Sequence, residues 1–459
     1  MKVMIVGAGK LGYKLAEAMD NEDIDVTLMD VNFKALEKIS DYLDVLTVAA
    51  NGIQIGALKE LNIDTYDLLV AATNSDETNT LICTLAKKLK CKKTIARIRN
   101  PEFIEQLDFV KNEMGIDHII NPDLLTAIEI ERYLSKSYNF YSDDFAKGKV
   151  SMVDFNIGNI ESFVGKKLKE LKGLEGLLIT AIKRDGELII PDGSTQLMAD
   201  DVIHVIGKIK YINKLGERLK ININKKQTKK VLILGGGKIG YYLAQRLENS
   251  DINVTIIERN RDRCEYLAQR LNNTLIIRGD GTDVNLLEEE DLASYDAFVG
   301  ATGFDEQNLL MALVAKQLGV NKTIAKISRP NYVHIIDKLD IDVALNPVNI
   351  TVSNVLKFIN GGRVASVSLL LGGEGEVMEI IVSEDLPIVG KPLSQLGLPK
   401  GIIIGAIVHK GEVIIPNGKS VIHKGDRMIV FSLTSHMPLL KKLLKPSKGG
   451  IFNELWAGH

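Results

Sequence analysis

The chain repeats itself, and this internal duplication limits its fold more than any other feature of the sequence. The segment MKVMIVGAGKLGYKLAEAM returns as KKVLILGGGKIGYYLAQRL, with Val3 corresponding to Val231. Further along, DLLVAATNSDETN returns as DAFVGATGFDEQN, and GELIIPDG returns as GEVIIPNG. A repeat this long predicts two copies of a set of domains and excludes a solenoid of short repeats. A chain of 459 residues is long enough for several domains of ordinary size.

Each copy begins with short apolar runs that alternate with longer amphipathic stretches. In the first copy these runs are VMIVG, DVTLMD, VLTVAA, LLVAAT, TIARI and IDHIINP. Strand-like runs separated by helix-like stretches are typical of βαβ units on a parallel sheet. The sequence therefore predicts an α/β fold class, with a Rossmann-like doubly wound sheet of six strands in each copy.

The pattern changes after each of these domains. A helical stretch is followed by shorter strand-like runs bounded by turn signals such as Asp185-Gly186, with a short helix expected over GKKLKEL, residues 165–171. This pattern predicts a small α+β domain in each copy. The predicted organisation is two Rossmann-like domains at 1–121 and 230–347, two helical crossovers at 122–147 and 348–369, two small α+β domains at 148–210 and 370–445, a linker at 211–229 and a tail at 446–459.

Composition narrows the classes of partner. There are 57 basic and 59 acidic side chains, giving a formal charge of −2, which argues against broad attraction to nucleic acid or anionic lipid. No apolar stretch approaches the about 18 to 20 residues of a membrane helix. The apolar run at the N-terminus leads into a glycine loop and not into a cleavage site. We expect a cytoplasmic protein with no nucleic-acid partner, no direct membrane insertion and no metal site, whose three cysteines, Cys83, Cys91 and Cys264, are reduced core thiols.

A glycine pattern lies between the first strand and the first helix of the first copy. It fits G-x-G-x-x-G and comprises Gly7, Ala8, Gly9, Lys10, Leu11 and Gly12. In this pattern the first glycine makes a tight turn, the second lets the backbone approach a pyrophosphate, and the third lets the helix pack on the strand. Asp30 ends the second strand, where a carboxylate accepts hydrogen bonds from an adenosine ribose and repels a 2′-phosphate. The first copy is therefore predicted to bind NAD(H), the alternative for Asp30 being an ordinary acidic residue of a surface turn.

The second copy carries the same set of residues. Its loop comprises Gly235, Gly236, Gly237, Lys238, Ile239 and Gly240, and Glu258 ends its second strand. Two occurrences with the correct flanks predict a nucleotide site far more specifically than one. Arg259, beside Glu258, is suited either to stacking on adenine or to meeting a phosphate, so the ligand of this copy stays open.

Further candidates follow later strands of each sheet, at the edge where open α/β folds bind ligands. In the first copy they are Asn51, Gly52, Thr73, Asn74, Arg97 and Arg99; in the second copy they are Asp280 and Thr302. The arginines are suited to bidentate phosphate contacts, or else are exposed edge charges. Gly303 replaces Asn74, and Lys326 and Ser328 replace the arginines. These changes predict that the two sites differ in affinity or ligand.

The motifs GAGKLG, NSDETN and ARIRNPEF, in a tandem of Rossmann-like domains with small appended domains, carry a resemblance to a known family. From Met1 to about Leu444, the chain resembles the TrkA family of peripheral subunits of Trk potassium-uptake systems. The repeats of that family are of the regulator-of-potassium-conductance type (RCK, or KTN). By this resemblance the nucleotide contacts fall on Gly7 to Leu11, Asp30, Thr73, Asn74 and Arg97, with a second set on Gly235 to Ile239 and Glu258.

The resemblance implies a homo-oligomer, a tetrameric ring, that docks on an integral-membrane potassium-translocating subunit at the inner face of the cell membrane. NAD(H), with ATP or ADP as further ligands, would bias the ring between shapes and so control potassium flux. Two alternatives stay open: an NAD-dependent oxidoreductase, and a cytoplasmic nucleotide sensor of another transporter or channel. None of the seven histidines stands in a pattern that predicts an acid or base for hydride transfer, so we expect no enzymatic activity.

Overall fold

The computed structural model describes most of the chain. The described residues are 1–20, 24–104, 107–135, 142–160, 162–218, 228–250, 252–329, 339–359, 364–370 and 374–444. The predicted tail at 446–459 and residues 219–227 of the predicted linker lie outside them.

The first copy opens with a six-stranded parallel sheet of order β3-β2-β1-β4-β5-β6. Its four central strands are largely buried, as expected for a parallel sheet covered on both faces, whereas the edge strand β3 is partly exposed. They are β1 Lys2–Val6, β2 Asp25–Asp30, β3 Leu46–Ala49, β4 Leu68–Ala71, β5 Lys93–Arg97 and β6 His118–Ile120. The helices between them are α1 Lys10–Asp20, α2 Phe33–Ser40, α3 Ile55–Glu60, α4 Asp76–Lys88, α5 Pro101–Ile104 and α6 Leu107–Met114.

The second copy repeats this sheet with the same strand order. Its strands are β12 Lys230–Leu234, β13 Asn253–Glu258, β14 Thr274–Arg278, β15 Ala297–Gly300, β16 Lys322–Lys326 and β17 Val343–Leu345. The helices between them are α9 Lys238–Leu247, α10 Arg261–Arg270, α11 Val284–Glu289 and α12 Asp305–Gln317. The strand order in both sheets is that of the dinucleotide-binding fold, so the predicted fold class is confirmed.

Each copy also contains a five-stranded antiparallel sheet. In the first copy the order is β10-β9-β11-β8-β7, and in the second it is β18-β19-β22-β20-β21. The strands are β7 Ser142–Phe145, β8 Val150–Asn156, β9 Leu177–Arg184, β10 Glu187–Ile189, β11 Val202–Gly207, β18 Val364–Leu370, β19 Gly375–Ile381, β20 Ile402–His409, β21 Glu412–Ile414 and β22 Arg427–Leu433. The helices α8 Ile209–Arg218 and α14 Met437–Leu443 follow these sheets.

Two local predictions about the first small domain need correction. Within 165–171 only Leu168–Glu170 forms a short 3₁₀ turn, because Leu168 N and Lys169 N donate to the carbonyls of Thr195 and Gly193. Pairing with residues 193–195 thus replaces the expected helix. The predicted linker at 211–229 begins inside α8, whose buried Ile212 and Leu215 pack on the small domain's core.

The helices at the two predicted crossovers, α7 Pro122–Leu134 and α13 Pro347–Ile359, each begin at a proline. Proline is favoured at the first helical position because its missing N–H would have had no helical partner.

The chain divides into two compact units. One is Met1–Pro122 with Val348–Glu412 and Pro416–His459, and the other is Asp123–Pro347 with Val413–Ile415. Each unit therefore combines a Rossmann-like sheet from one copy with the crossover helix of the other.

In the first unit, α13 completes the core of the first sheet. Val352, Val355 and Leu356 of this helix are buried in the same apolar cluster as Val3 and Ile5 of β1. At the edge of the sheet, His118 stacks on Phe358 with ring centroids 4.8 Å apart. The amine of Lys93 lies over the same phenyl ring, 5.4 Å from its centroid.

In the second unit, α7 packs on the second sheet in the corresponding way. Lys322 is buried, and its ammonium lies 5.1 Å from the ring centroid of Tyr133. It also donates to the carbonyl oxygens of Tyr133 and Leu134 at 3.2 Å. A cation at the end of a helix satisfies carbonyls that lack a helical partner and complements the helix dipole. Thr228 Oγ1 donates to the carbonyl of Leu134 at 2.8 Å as well, which fixes this helix end from a second side.

Among the helices of the described residues, none has the length and apolar character needed to cross a bilayer.

The cysteines are free, and Cys83 and Cys91 are buried as predicted. Burial raises the pKa of both thiols, that of Cys91 to about 11. Cys264 is only partly buried, which corrects the prediction that it is a core thiol.

The pairing of α13 with the first sheet predicts where a defect on that helix will be felt. We expect Leu356→Ala to destabilise the first unit by about 2 to 5 kcal/mol, because it leaves a cavity in a packed core. Hydrogen exchange followed by mass spectrometry should show faster amide exchange in β1 and unchanged exchange in β12. Lys357→Ala, on the exposed side of the same helix, is the control. Faster exchange in β12, with unchanged exchange in β1, would contradict the packing of α13 on the first sheet.

Candidate nucleotide-binding sites

The predicted site residues of each copy lie at one edge of its parallel sheet. The glycine loop follows β1, Asp30 ends β2, and the later candidates follow β3, β4 and β5. Because all six strands are parallel, their carboxyl ends meet at the same edge. The strand order reverses between β1 and β4, and a crevice at that switch point is where open α/β sheets bind ligands.

The glycines of the first loop are needed for different reasons. Gly7 has φ +116°, and a Cβ there would lie 2.8 Å from the carbonyl carbon of Ala72. A Cβ on Gly12 would lie 1.8 Å from the carbonyl oxygen of Gly7. Nothing lies within 4 Å of a Cβ built on Gly9. Two glycines therefore pack the loop on the fold, while Gly9 exposes backbone to open space, where a pyrophosphate could approach.

Asp30 holds the loop in shape. Its Oδ2 accepts a hydrogen bond from Ala8 N at 2.6 Å, and its Oδ1 accepts one from Asn32 N at 2.8 Å. A carboxylate offers about four lone-pair sites, so it can accept a ribose hydroxyl in addition to these amides. Asp30 is thus both a support of the loop and a candidate ribose acceptor.

Thr73 and Arg97 are joined by a network that sequence reasoning did not predict. Arg97 Nη1 donates to the carbonyl oxygen of Thr73 at 2.9 Å. Buried Asn79 accepts from Thr73 N and donates to the carbonyls of Thr73 and Arg97. Asp76 accepts from the backbone amides of Arg99 and Asn100. These contacts fix the loops after β4 and β5 relative to each other beside Gly7.

The other candidates of the first copy differ in their surroundings. Asn51 caps its own turn by accepting from Ile53 N at 3.2 Å, and a Cβ on Gly52 would lie 2.6 Å from Val6 Cγ1. Asn74 and Lys10 are exposed at the open edge, whereas Leu11 is buried. Gly52 and Leu11 therefore serve packing, and Asn74 and Lys10 remain available to a ligand.

The second copy builds the same backbone frame. Glu258 accepts from Gly236 N and Asn260 N, both at 2.8 Å. Gly235 has φ +104°, a Cβ on Gly240 would lie 2.2 Å from the carbonyl oxygen of Gly235, and Gly237 has nothing within 4 Å. Ile239 is buried and Lys238 is half-buried.

Buried Asn308 links Thr302 to the end of β16, as Asn79 does for its own strands. Asp280 corresponds to Asn51, and the hydrogen bond from Thr282 N lowers the pKa of its carboxyl group. Asn79 and Asn308 share the pattern D-E-x-N in both copies, a repeat signal that could have identified them.

The side chains around the second site differ in charge from those around the first site. Arg263 Nε donates to the carbonyl oxygen of Gly236 at 2.5 Å, where the first copy has Ala35. Lys326 donates to the carbonyl oxygen of Thr302 at 3.1 Å and lies 3.4 Å from Asp305 Oδ1. Arg259 lies over the exposed ring of Phe304, 5.9 Å from its centroid. The second loop is therefore braced by a cation that the first lacks, and the arginine run RNRDRC was its signal in the sequence.

The loop geometry predicts opposite outcomes for two neighbouring substitutions. Gly12→Ala should destabilise the chain by about 1 to 3 kcal/mol, because the methyl group would overlap the carbonyl of Gly7. Gly9→Ala should change stability by less than about 1 kcal/mol, because space is open there and Gly9 only precedes the helix. Urea unfolding followed by circular dichroism checks both. Equal unfolding midpoints for the two variants would contradict the proposed roles of these glycines.

The family models match both copies. The TrkA-N domain matches residues 3–122 and 231–347, and the TrkA-C domain matches residues 152–220 and 377–445. These matches cover the two parallel-sheet domains and most of the two small domains.

Two curated relatives match nearly the whole chain. Trk system potassium uptake protein TrkA homolog 1 of Methanosarcina mazei is 36% identical, over 97% of this chain and 100% of the relative. Trk system potassium uptake protein TrkA of Haemophilus influenzae is 35% identical, over 97% of this chain and 99% of the relative.

Solved structures share the fold at lower identity. The GsuK RCK domain is 16% identical and covers 96% of this chain and 94% of that chain, with a TM-score of 0.55. The structure of the GsuK channel bound to NAD has the same identity and TM-score and covers 96% of this chain and 78% of that chain. The duplicated parallel sheets, the paired small domains and the full-length similarity agree, and the chain belongs to the TrkA family of the Trk potassium-uptake system.

Proposed function

We propose that this chain is a nucleotide-sensing regulatory subunit that controls potassium flux through a separate integral-membrane subunit. It binds NAD(H) in the first copy, with ATP or ADP as further ligands, and it catalyses no reaction. It lies in the cytoplasm, on the inner face of the cell membrane through its partner, as a homotetrameric ring. Full-length similarity to the named TrkA proteins supports the link to potassium uptake.

The observation that carries the nucleotide proposal is the joint geometry of Gly9 and Asp30. Gly9 leaves its backbone open in front of the N-terminus of α1, where free amides favour an anionic group. Asp30 fixes the same loop through Ala8 N, at the strand end where a ribose acceptor is required. A phosphate position and a ribose position are thus held by one short loop.

We further propose that the two sites differ in ligand or affinity. Arg263 adds a permanent positive charge at the carbonyls of the second loop, and Lys326, paired with Asp305, replaces Arg97. Regulation then follows from linkage, since a nucleotide shifts the equilibrium between two ring states only by its difference in affinity for them.

Calorimetric titration with NADH tests the first site. Gly9→Glu should abolish binding there, because a carboxylate would occupy the pyrophosphate position, and the fold should survive because that position is open. Asp30→Ala should weaken binding by about 1.5 to 3 kcal/mol, the range for a hydrogen bond to a charged group. Glu258→Ala, in the second copy, is the matched control and should retain the first site. Normal NADH affinity in a folded Gly9→Glu chain would refute the assignment.

Regulation is tested by potassium flux in vesicles that contain the membrane subunit of a Trk-type system. Adding the wild-type chain should make flux depend on NADH, NAD, ATP or ADP, and Gly9→Glu should remove the dependence that originates in the first site. Potassium flux that does not change on addition of any of the four nucleotides would refute the regulatory proposal. NADH absorbance should stay constant when a small carbonyl compound is added, whereas steady consumption would indicate an oxidoreductase.

A further inference from the structure

The two small domains contain the same buried carboxylate with different neighbours. In the first, Asp201 is buried and binds Arg184 at the end of β9. Nε of Arg184 lies 2.8 Å from Oδ1, and Nη2 lies 2.8 Å from Oδ2. Met198 N also donates to Oδ2 at 2.8 Å. The carboxylate is thus neutralised by a guanidinium, whose charge is permanent.

In the second small domain, histidines occupy the corresponding positions. Asp426 is buried like Asp201, His409 ends β20 where Arg184 ends β9, and His423 stands where Met198 does. His423 N donates to Asp426 Oδ2 at 2.8 Å, so the backbone turn is the same. His409 Nδ1 lies 2.7 Å from Asp426 Oδ1. The permanent cation has therefore been replaced by two imidazoles around an unchanged carboxylate.

The three side chains meet in the way that metal ligands do. His423 Nδ1 lies 3.8 Å from Asp426 Oδ2, and the two imidazole centroids are 4.9 Å apart. One ligand atom from each residue lies within 4.8 Å of the others. Ligands of a tetrahedral zinc ion are about 3.3 Å apart, so small side-chain rotations would bring these atoms into place.

Charge and access also suit a divalent cation. Two neighbouring cations are already paired, Lys424 with Glu384 and Arg427 with Glu379. The ion pairs of Asp426 in the described part of the chain are those with the two histidines. The side chain of His423 is 56% exposed, which leaves an entry path and a position for water as a further ligand. The hydrogen bond from His423 N fixes the carboxylate, as the outer contacts of metal ligands do.

We propose that His409, His423 and Asp426 form a binding site for a divalent cation of the zinc type. Two imidazoles and one carboxylate are a ligand set that Zn²⁺ accepts, with an open fourth position. The ion takes the place of the guanidinium of the first small domain and joins the end of β20 to the turn before β22. At the corresponding positions the first small domain lacks this ligand set, because Arg184 and Met198 replace the two histidines.

The first small domain supplies the matched variants for the test. The double variant His409→Arg with His423→Met rebuilds an arrangement that the chain already folds around Asp201. Zn²⁺ is titrated calorimetrically into the full chain, and bound metal is counted after dialysis. We expect the double variant to lose one Zn²⁺ per chain, with affinity at this site falling at least about 100-fold. The cysteines and the remaining histidines are common to both chains, so their binding cancels in the comparison.

The converse graft protects the test against a variant that misfolds. Arg184→His with Met198→His should add one Zn²⁺ per chain to the first small domain. Co²⁺ used as a probe should give the visible absorption of a tetrahedral site in wild type, and it should lose that absorption in the His409→Arg, His423→Met chain. Equal Zn²⁺ content and affinity in wild type and that double variant would overturn the proposal, leaving the histidines as hydrogen-bond partners of Asp426 alone.

Discussion

The burial of each crossover helix against the sheet of the other copy is the interaction on which the rest of the structure depends. Leu356 of α13 shares a core with Ile5, and Lys322 closes the end of α7 through the carbonyls of Tyr133 and Leu134. Apolar burial is the dominant favourable term in folding, so neither copy completes its core from its own residues alone. Within each compact unit, a parallel sheet of one copy is therefore joined to the crossover helix and small domain of the other copy.

Within that frame, both glycine loops are stabilised by the same device. A carboxylate at the end of the second strand accepts a backbone amide of the loop, from Ala8 to Asp30 in one copy and from Gly236 to Glu258 in the other. Backbone amides that are held in place before a ligand arrives need no reorganisation when an anion binds. In the proposed function the same carboxylate is the ribose acceptor, so loop stability and ligand recognition would depend on one side chain.

Duplication also provides an internal comparison. Positions that are the same in both copies, such as Asn79 and Asn308, hold the backbone, because each satisfies the same amide and carbonyl groups. Positions that differ change the charge around an unchanged frame, as Arg263 does at the second loop and His409 does in the second small domain. The proposed difference in ligand or affinity between the two copies rests on these differing positions.

Sequence alone determined the fold class, the six-stranded sheets and the place of the glycine loops, because periodicity and glycine geometry are local properties. It wrongly predicted a helix over GKKLKEL, where backbone amides pair with residues 193–195 instead. It also did not predict the partial exposure of Cys264. Only the tertiary structure decided which sheet each crossover helix covers, and that His409 and His423 come together at the buried carboxylate of Asp426. These facts depend on contacts between residues far apart in the chain, which no local pattern encodes.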